Sequence, residues 1–475
     1  MCHNNSECPE FPGLRNLLTA KEFDDIHQKR LCGERQDSYC CKMEQDELTP
    51  REDQVPMEMT KPVNLSTSVN DFAQEFYSKY KESKSADSNL VFSPLSIHVA
   101  LSMLASGATD GSATQMELFK VLGNYKNIRG LEREYKKLID EYNKDDGITD
   151  RWGKTDSIND ALELANRVWV TGEEKAKIKS SFKDLMRLHY FIDLEELPEN
   201  DPADAVNDWV KEKTHDKIEK LFEDLSRDTK FLLTNVIYFH DAWTTEFYPL
   251  SEEEAKNDNL TFKLHNGVES TGQTKWMYRS SSHFNLRAVS FGEIETKVIS
   301  IPTEHQYNIA RRLGNRFDVV LVVPDKPADI TKLDAYVSST AGDFMDLIND
   351  AMAQEVSPHN DVSLQMPLFS LKGNVEVAKI LKEMGVQGIF QKGDFSKLYD
   401  GEALKVGDIV HKATIDVDDK GVVAAAATGV ELVALSAPVI TGELTVDRPF
   451  MFIIRDTSRM VPLFMGKVME PSRPE

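Results

Sequence analysis

Asp418-Asp419-Lys420-Gly421-Val422-Val423-Ala424-Ala425-Ala426-Ala427-Thr428-Gly429 opens the stretch DDKGVVAAAATGVELVALSAPVITGEL, residues 418–444. Four consecutive alanines favour a helix, but the two valines before them and the Thr-Gly after them dilute that propensity. The run is therefore compatible with more than one backbone state. Laid out as a strand, Val422, Ala424, Ala426, Thr428, Val430 and Leu432 fall on one face, and Val423, Ala425, Ala427, Gly429, Glu431 and Val433 on the other. The first face carries no charge, and neither face contains proline. Every backbone donor is thus available to a sheet, and insertion on that face would bury no ionised group. The expectation is a segment that can be either an exposed loop or a central strand. A low-complexity surface loop or a plain alanine helix is the reading that the residues alone leave open.

The surrounding sequence favours strands. Residues 413–417 before it, and 444–446, 450–454 and 463–468 after it, are strand-like with little helical period. Farther upstream, Val69, Phe72, Phe76 and Tyr80 recur at three and four residues and predict a helix that opens the large domain. Val91 begins a short strand, followed by a Ser-Pro turn and a helix with Ile97, Ala100, Leu101 and Leu104 inward. Residues 201–221 place Val206, Val210, Ile218 and Leu221 at helical spacing, 231–239 and 319–323 read as strands, and 141–157 as an exposed loop. Helices and strands mix without regular alternation, which predicts an α+β domain. Residues 42–62 are charged and proline-punctuated, so a linker is expected between an N-terminal extension (1–62) and the main domain (63–475).

The 475 residues include 79 acidic and 56 basic side chains, a formal charge of −23. That overall field disfavours nucleic acid and anionic membrane as partners. No apolar run is long enough to span a bilayer, and the first thirty residues lack the apolar centre of a signal peptide, which fits an intracellular chain or a mature secreted form. All five cysteines, Cys2, Cys8, Cys32, Cys40 and Cys41, lie in the extension. Their clustering fits a small disulfide-tied segment in an oxidising compartment, with one thiol left over; a zinc site is the rival, though no repeated Cys-x-x-Cys supports it. Asn4, Asn64 and Asn259 begin Asn-x-Ser/Thr triplets that could carry glycan if the chain is secreted. The expected location is extracellular. Lys126, Arg129, Arg133, Lys136 and Lys137 share a helical face, either a solvated basic surface or a weak glycosaminoglycan contact.

Several separated motifs occur in one order: Phe92-Ser93-Pro94-Leu95-Ser96-Ile97, Asn207-Asp208-Trp209-Val210 with Thr214 and Lys217-Ile218, Thr234-Asn235-Val236-Ile237-Tyr238-Phe239 leading to Trp243, His411-Lys412-Ala413, Asp447-Arg448-Pro449-Phe450, and Pro462-Leu463-Phe464-Met465-Gly466-Lys467-Val468. In that order they resemble the serpin family over residues 63–470, with an extension similar to those of some extracellular invertebrate serpins. The resemblance implies three β-sheets, eight or nine helices and an exposed reactive loop at about 419–446. It also implies a suicide-substrate trap for serine proteases, with no cofactor, metal or catalytic residue of its own and a monomeric chain. Ser93, Ser96, Asn235 and His411, with Trp243, correspond to the family's sheet-opening region, and Asp419 to Thr428 to its hinge. Counting fourteen residues from Gly421 places the attacked bond at Leu435-Ser436, which suits a chymotrypsin-like protease; an elastase-like enzyme could use Val433 or Ala434. Asp419, Val422 and Val423 stand where the family usually has glutamate, threonine or serine, and glutamate. A noninhibitory binding or carrier serpin is the alternative.

Overall fold

The computed structural model describes residues 64–472 except 126, 143–144, 150–154, 158–160, 226–230, 305, 310–311, 340–342, 355–360, 402–405, 407–408 and 423–439. The five cysteines, Asn4, the hinge from Val423 to Thr428 and the Leu435-Ser436 bond lie outside the described residues.

Helix α1 (Leu65–Glu82) starts where the Asn64 side chain accepts from the Thr67 backbone N–H at 3.4 Å. Val69, Phe72, Phe76 and Tyr80 form the buried face that their spacing predicts. Strand β1 (Leu90–Phe92) runs through the Ser93 cap into α2 (Pro94–Gly107), where Pro94 sits in the first turn and forfeits no helical bond. Every residue of α2 is buried, which explains its lack of a polar stripe. Helices α3 (Ala113–Val121) and α4 (Arg129–Tyr142) follow, and α4 turns Leu131, Tyr135, Leu138 and Tyr142 inward.

Two expectations need correction. Residues 141–157 are not simply a loop: α4 continues to Tyr142, and Asp145–Thr149 pairs with Thr155–Ser157. Backbone pairing satisfies a polar stretch without leaving an apolar period to detect. Helix α5 (Pro202–Lys213) also stops short of residue 221, because His215 and Asp216 adopt left-handed backbone, with φ of 48° and 63°. Ile218 and Leu221 still pack with Val206 and Val210, but from an irregular segment that folds back on the helix.

Among the described residues the strands form two large sheets, a third divided into two separate ladders, and two two-stranded pairs. The largest has the order β1, β17 (Val461–Val468), β16 (Phe450–Asp456), β10 (Phe317–Pro324), β9 (Ile294–Pro302) and β8 (Asn285–Phe291). Strands β10, β16 and β17 are buried along their whole lengths, so they are mostly apolar without alternation, and the charges they carry, Asp318, Arg455, Asp456 and Lys467, are buried and paired. Helices α6 (Ile330–Ser339) and α7 (Asp343–Met352) follow β10 in the chain. A second sheet has the order β15 (Ile440–Thr445), β11 (Asp361–Pro367), β7 (Trp276–Ser281) and β6 (Tyr248–Pro249).

The third sheet is in two halves. One half is β3 (Leu194–Leu197), β2 (Leu162–Thr171) and β4 (Phe231–Phe239). The other is β12 (Phe369–Glu376), β13 (Val410–Val417), β14 (Gly421–Val422) and β5 (Asp241–Ala242), with helix α8 (Val377–Glu383) following β12. The chain passes from β4 into β5 across His240 alone, which joins the halves at one end. Along the rest of their lengths β4 and β13 are neighbours with no ladder between them among the described residues.

Gly466 shows how tightly the largest sheet is assembled. A Cβ there would lie 2.0 Å from the Leu90 carbonyl oxygen and 2.7 Å from the Phe452 ring. Gly466→Ala is expected to cost about 1–3 kcal/mol through overpacking, seen as a lower urea midpoint; an unchanged midpoint would show that β1 can move aside.

Candidate functional site

The unpaired seam between β4 and β13 is crossed beneath by a run of buried polar groups. His411 on β13 accepts at Nε2 from the Ser93 backbone N–H at 3.0 Å. Ser93 Oγ accepts from the Ser96 backbone N–H at 3.2 Å, capping α2. The Ser96 hydroxyl donates to Asn235 Oδ1 on β4, and Asn235 Nδ2 donates to Asn166 Oδ1 on β2. Thus the start of α2 ties the two half-sheets together without a ladder. Each member is buried, so an unmatched group here would be costly.

The sequence motifs contain four of these five residues. Asn166, register-paired with Asn235, was missed because one asparagine in the strand LELANRVWV carries no period or spacing to mark it. Trp243, grouped with the other four by resemblance, is not bonded to them. It stands where β5 meets the hinge.

His411 Nδ1 must carry the ring proton, since Nε2 is an acceptor. That atom is buried without a hydrogen-bond partner. His411 lines a small cavity of about 10 Å³ with Ile97, Leu101, Leu233, Asn235 and Val377. Burial lowers its pKa from 6.5 to about 3, so the ring is neutral at neutral pH.

At the joined end, Asp418 builds a tight turn. Its Oδ1 accepts from the backbone N–H groups of Lys420 at 2.8 Å and Gly421 at 3.1 Å. Burial raises its carboxyl pKa, with Asp419 adding to the shift, while the two backbone bonds oppose it. Trp243 Nε1 donates to the Asp418 carbonyl at 2.8 Å. The backbone N–H groups of Trp243 and Phe247 donate to the carbonyls of Lys420 and Asp419. The chain leaves this turn as β14, which lies between β13 (Val417↔Val422) and β5 (Gly421↔Ala242, Val422↔Asp241). Val422 is 0% exposed. A Cβ on Gly421 would sit 2.3 Å from the Asp241 carbonyl oxygen, so only glycine fits this approach. The first two residues of the switchable run are therefore already a central strand.

The remaining residues singled out lie elsewhere. Asn64 is exposed at the α1 cap, and Asn259 is exposed in left-handed backbone after the helix Glu252–Asn257. Arg129, Arg133, Lys136 and Lys137 lie on α4, with Lys137 paired to Glu134 at 2.8 Å and Lys136 over the Phe191 ring; Lys126 is outside the described residues.

The histidines set a pH dependence. His98 is held between Ser68 and Tyr135 and, like His411, is depressed by burial to about 3. Unfolded chains take up these protons near pH 6.5 and folded chains do not, so stability is lost as pH falls below 6.5. Between pH 6.5 and 5 each histidine should contribute a slope approaching about 1.4 kcal/mol per pH unit. Urea unfolding of His411→Gln over that range should show a shallower loss than the wild-type protein, and equal slopes would mean His411 is protonated in the folded state.

The family model described as "Serpin (serine protease inhibitor)" matches residues 67–471. Serpin-Z1C of Triticum aestivum is 31% identical over 402 residues, covering 82% of this chain and 91% of its own length. The structure of human thyroxine-binding globulin complexed with thyroxine matches with a TM-score of 0.67 at 23% identity, over 86% of this chain and 99% of that one. The structure of Serpin48 from the insect Tenebrio molitor matches with a TM-score of 0.66 at 22% identity, over 89% and 100%. The chain therefore belongs to the serpin family and is a non-enzymatic inhibitor or binding protein.

Proposed function

We propose that this serpin is a secreted suicide-substrate inhibitor of chymotrypsin-like or elastase-like serine proteases, cleaved at Leu435-Ser436. The observation that carries this reading is β14: Gly421 and Val422 occupy the sheet between β13 and β5, and the run beyond them has no proline and no charge on the Val422 face. The residues between β14 and β15, 423–439, contain the bait. The protease serine attacks the Leu435 carbonyl, the peptide bond to Ser436 breaks with a proton passing to the new amine, and an ester joins Leu435 to the enzyme. Zipping of residues 423 onward between β4 and β13 then carries the acylated protease away before water hydrolyses the ester. Leucine favours a hydrophobic primary pocket. No basic residue lies between Gly421 and Arg448, which argues against trypsin-like targets.

On this reading the extension, residues 1–62, is a disulfide-tied segment separate from a monomeric inhibitor domain, and Asn4, Asn64 and Asn259 are glycan acceptors. The basic face of α4 is a weak glycosaminoglycan contact at most.

A carrier role is the second reading. The matched hormone-bound globulin supports it, as does a cleft of about 290 Å³ lined by Lys297, Val323, Pro324, Asp325, Glu443, Leu444, Thr445 and Arg448. Its lining holds two cations and two acidic residues and would suit a small polar ligand.

Mixing with chymotrypsin and with pancreatic elastase separates the two readings. A covalent complex that survives SDS, with a released peptide beginning at Ser436, is expected; cleavage without a complex would overturn the trap and leave the carrier. Ala426→Asp, on the Val422 face but beyond β14, should turn the inhibitor into a substrate that is cleaved and released, because insertion would bury a carboxylate; undiminished complex yield would show that this face does not enter the sheet.

A further inference from the structure

Among the described residues seven other than glycine hold a positive φ, and Asp201 is the one of them that precedes a proline. It sits at φ 49° and ψ 50° in the turn between β3 and α5, although the residue before a proline is biased towards extended backbone. Left-handed backbone brings the Cβ of an L-residue too close to the carbonyl oxygen that follows it. The Asp201 side chain is therefore crowded against the peptide group that joins it to Pro202. That bond is the single Asp-Pro in the 475 residues.

Each group at this bond has a chemical part to play. Asp201 is exposed and its carboxylate caps no N–H of α5, so it can turn back on its own main chain. The Asp201 carbonyl accepts from the backbone N–H groups of Asp204 at 3.0 Å and Ala205 at 3.4 Å. These donors, at the positive end of α5, polarise the carbonyl carbon and face an oxygen that would gain charge under attack. Pro202 opens α5 and has no N–H to give to the helix, so no hydrogen bond retains its nitrogen.

We propose that Asp201–Pro202 is a self-cleaving peptide bond. A carboxylate oxygen of Asp201 attacks the Asp201 carbonyl carbon and closes a five-membered ring, whose new oxyanion meets the Asp204 and Ala205 N–H groups. The C–N bond to Pro202 then breaks, the prolyl nitrogen leaves with a proton taken from solvent, and a cyclic anhydride remains. One water molecule opens the anhydride, restoring the side-chain carboxylate and leaving a C-terminal carboxylate on Asp201. Attack within one residue needs no encounter, and breaking the bond releases the left-handed backbone that β3 and α5 hold from either side. The two pieces stay together, because β2 pairs with β4 from Leu162↔Phe239 to Val170↔Phe231 and Trp169 packs with Trp209. The event happens once per chain, with water as its one co-reactant, and it stands whether or not the chain traps proteases.

Mass spectrometry of the purified full chain, held in mild acid with a mixture of protease inhibitors, tests the bond. Two fragments are expected, 1–201 and a second beginning at Pro202, at a first-order rate independent of protein concentration and falling as pH rises, since the leaving nitrogen takes up a proton. The pieces should separate in SDS and elute as one particle without it. Release of the left-handed backbone should make the folded chain cleave about 5- to 30-fold faster than the same chain unfolded in urea at the same pH. Asp201→Asn keeps the helix cap and tolerates left-handed backbone, yet lacks the carboxylate and should stay intact. A wild-type chain that remains whole, a folded rate no higher than the rate in urea, or undiminished cleavage in Asp201→Asn overturns the proposal.

Discussion

Two neighbouring strands without a ladder between them set the terms for the rest of this molecule. Backbone donors and acceptors in a protein interior are nearly always paired, and the facing edges of β4 and β13, whose other edges are fully laddered, are bridged only at one end, through β14 and β5. Elsewhere the halves are held by side chains: the Asn166–Asn235–Ser96–Ser93–His411 run beneath, and α5 with its following segment above. Side-chain bridges can be exchanged one at a time, whereas a complete ladder resists opening along its whole length. On the proposed mechanism, a fold held in this way keeps a place for one more strand.

The rest of the structure supplies the rigidity that such a place requires. In the largest sheet, β10, β16 and β17 are buried on both faces, and the Arg455–Asp318 and Arg316–Asp456 ion pairs are almost wholly buried within it. Arg316 also meets Glu141, and Tyr142 donates to Asp456, fastening α4 to the same sheet. Charges removed from water in this way contribute little net stability but make partial opening expensive, since each would be left alone. The largest sheet and the divided one are therefore held by different chemistry.

Much of this was legible in the sequence. The α1 face followed from Val69, Phe72, Phe76 and Tyr80, and β16 and β17 from the strand-like stretches 450–454 and 463–468, because burial dictates residue type at a fixed period. Gly421 was legible as a constraint of backbone chemistry, and it sits against the Asp241 carbonyl; the alanines after it lie outside the described residues. What escaped were features set by tertiary partners. Asn166 is informative only once its register with Asn235 is known. The end of α5 depends on left-handed backbone at His215 and Asp216, neither of them a glycine. The pairing of 145–149 with 155–157 uses backbone groups that every residue has. Seating of Gly421 and Val422 in the sheet depends on the partners β5 and β13 and on the Asp418 turn, which no local pattern specifies.

The central claim is that the strand from Gly421 onward completes the divided sheet and relaxes the fold. It is tested most directly by cutting the loop once with a protease that does not stay bound and comparing thermal unfolding of the cut and uncut chains. The account predicts a large rise in the unfolding temperature of the cut form, with residues 423–432 becoming protected from hydrogen exchange alongside β4 and β13. An unfolding temperature that stays the same or falls, with that segment still freely exchanging, would contradict it.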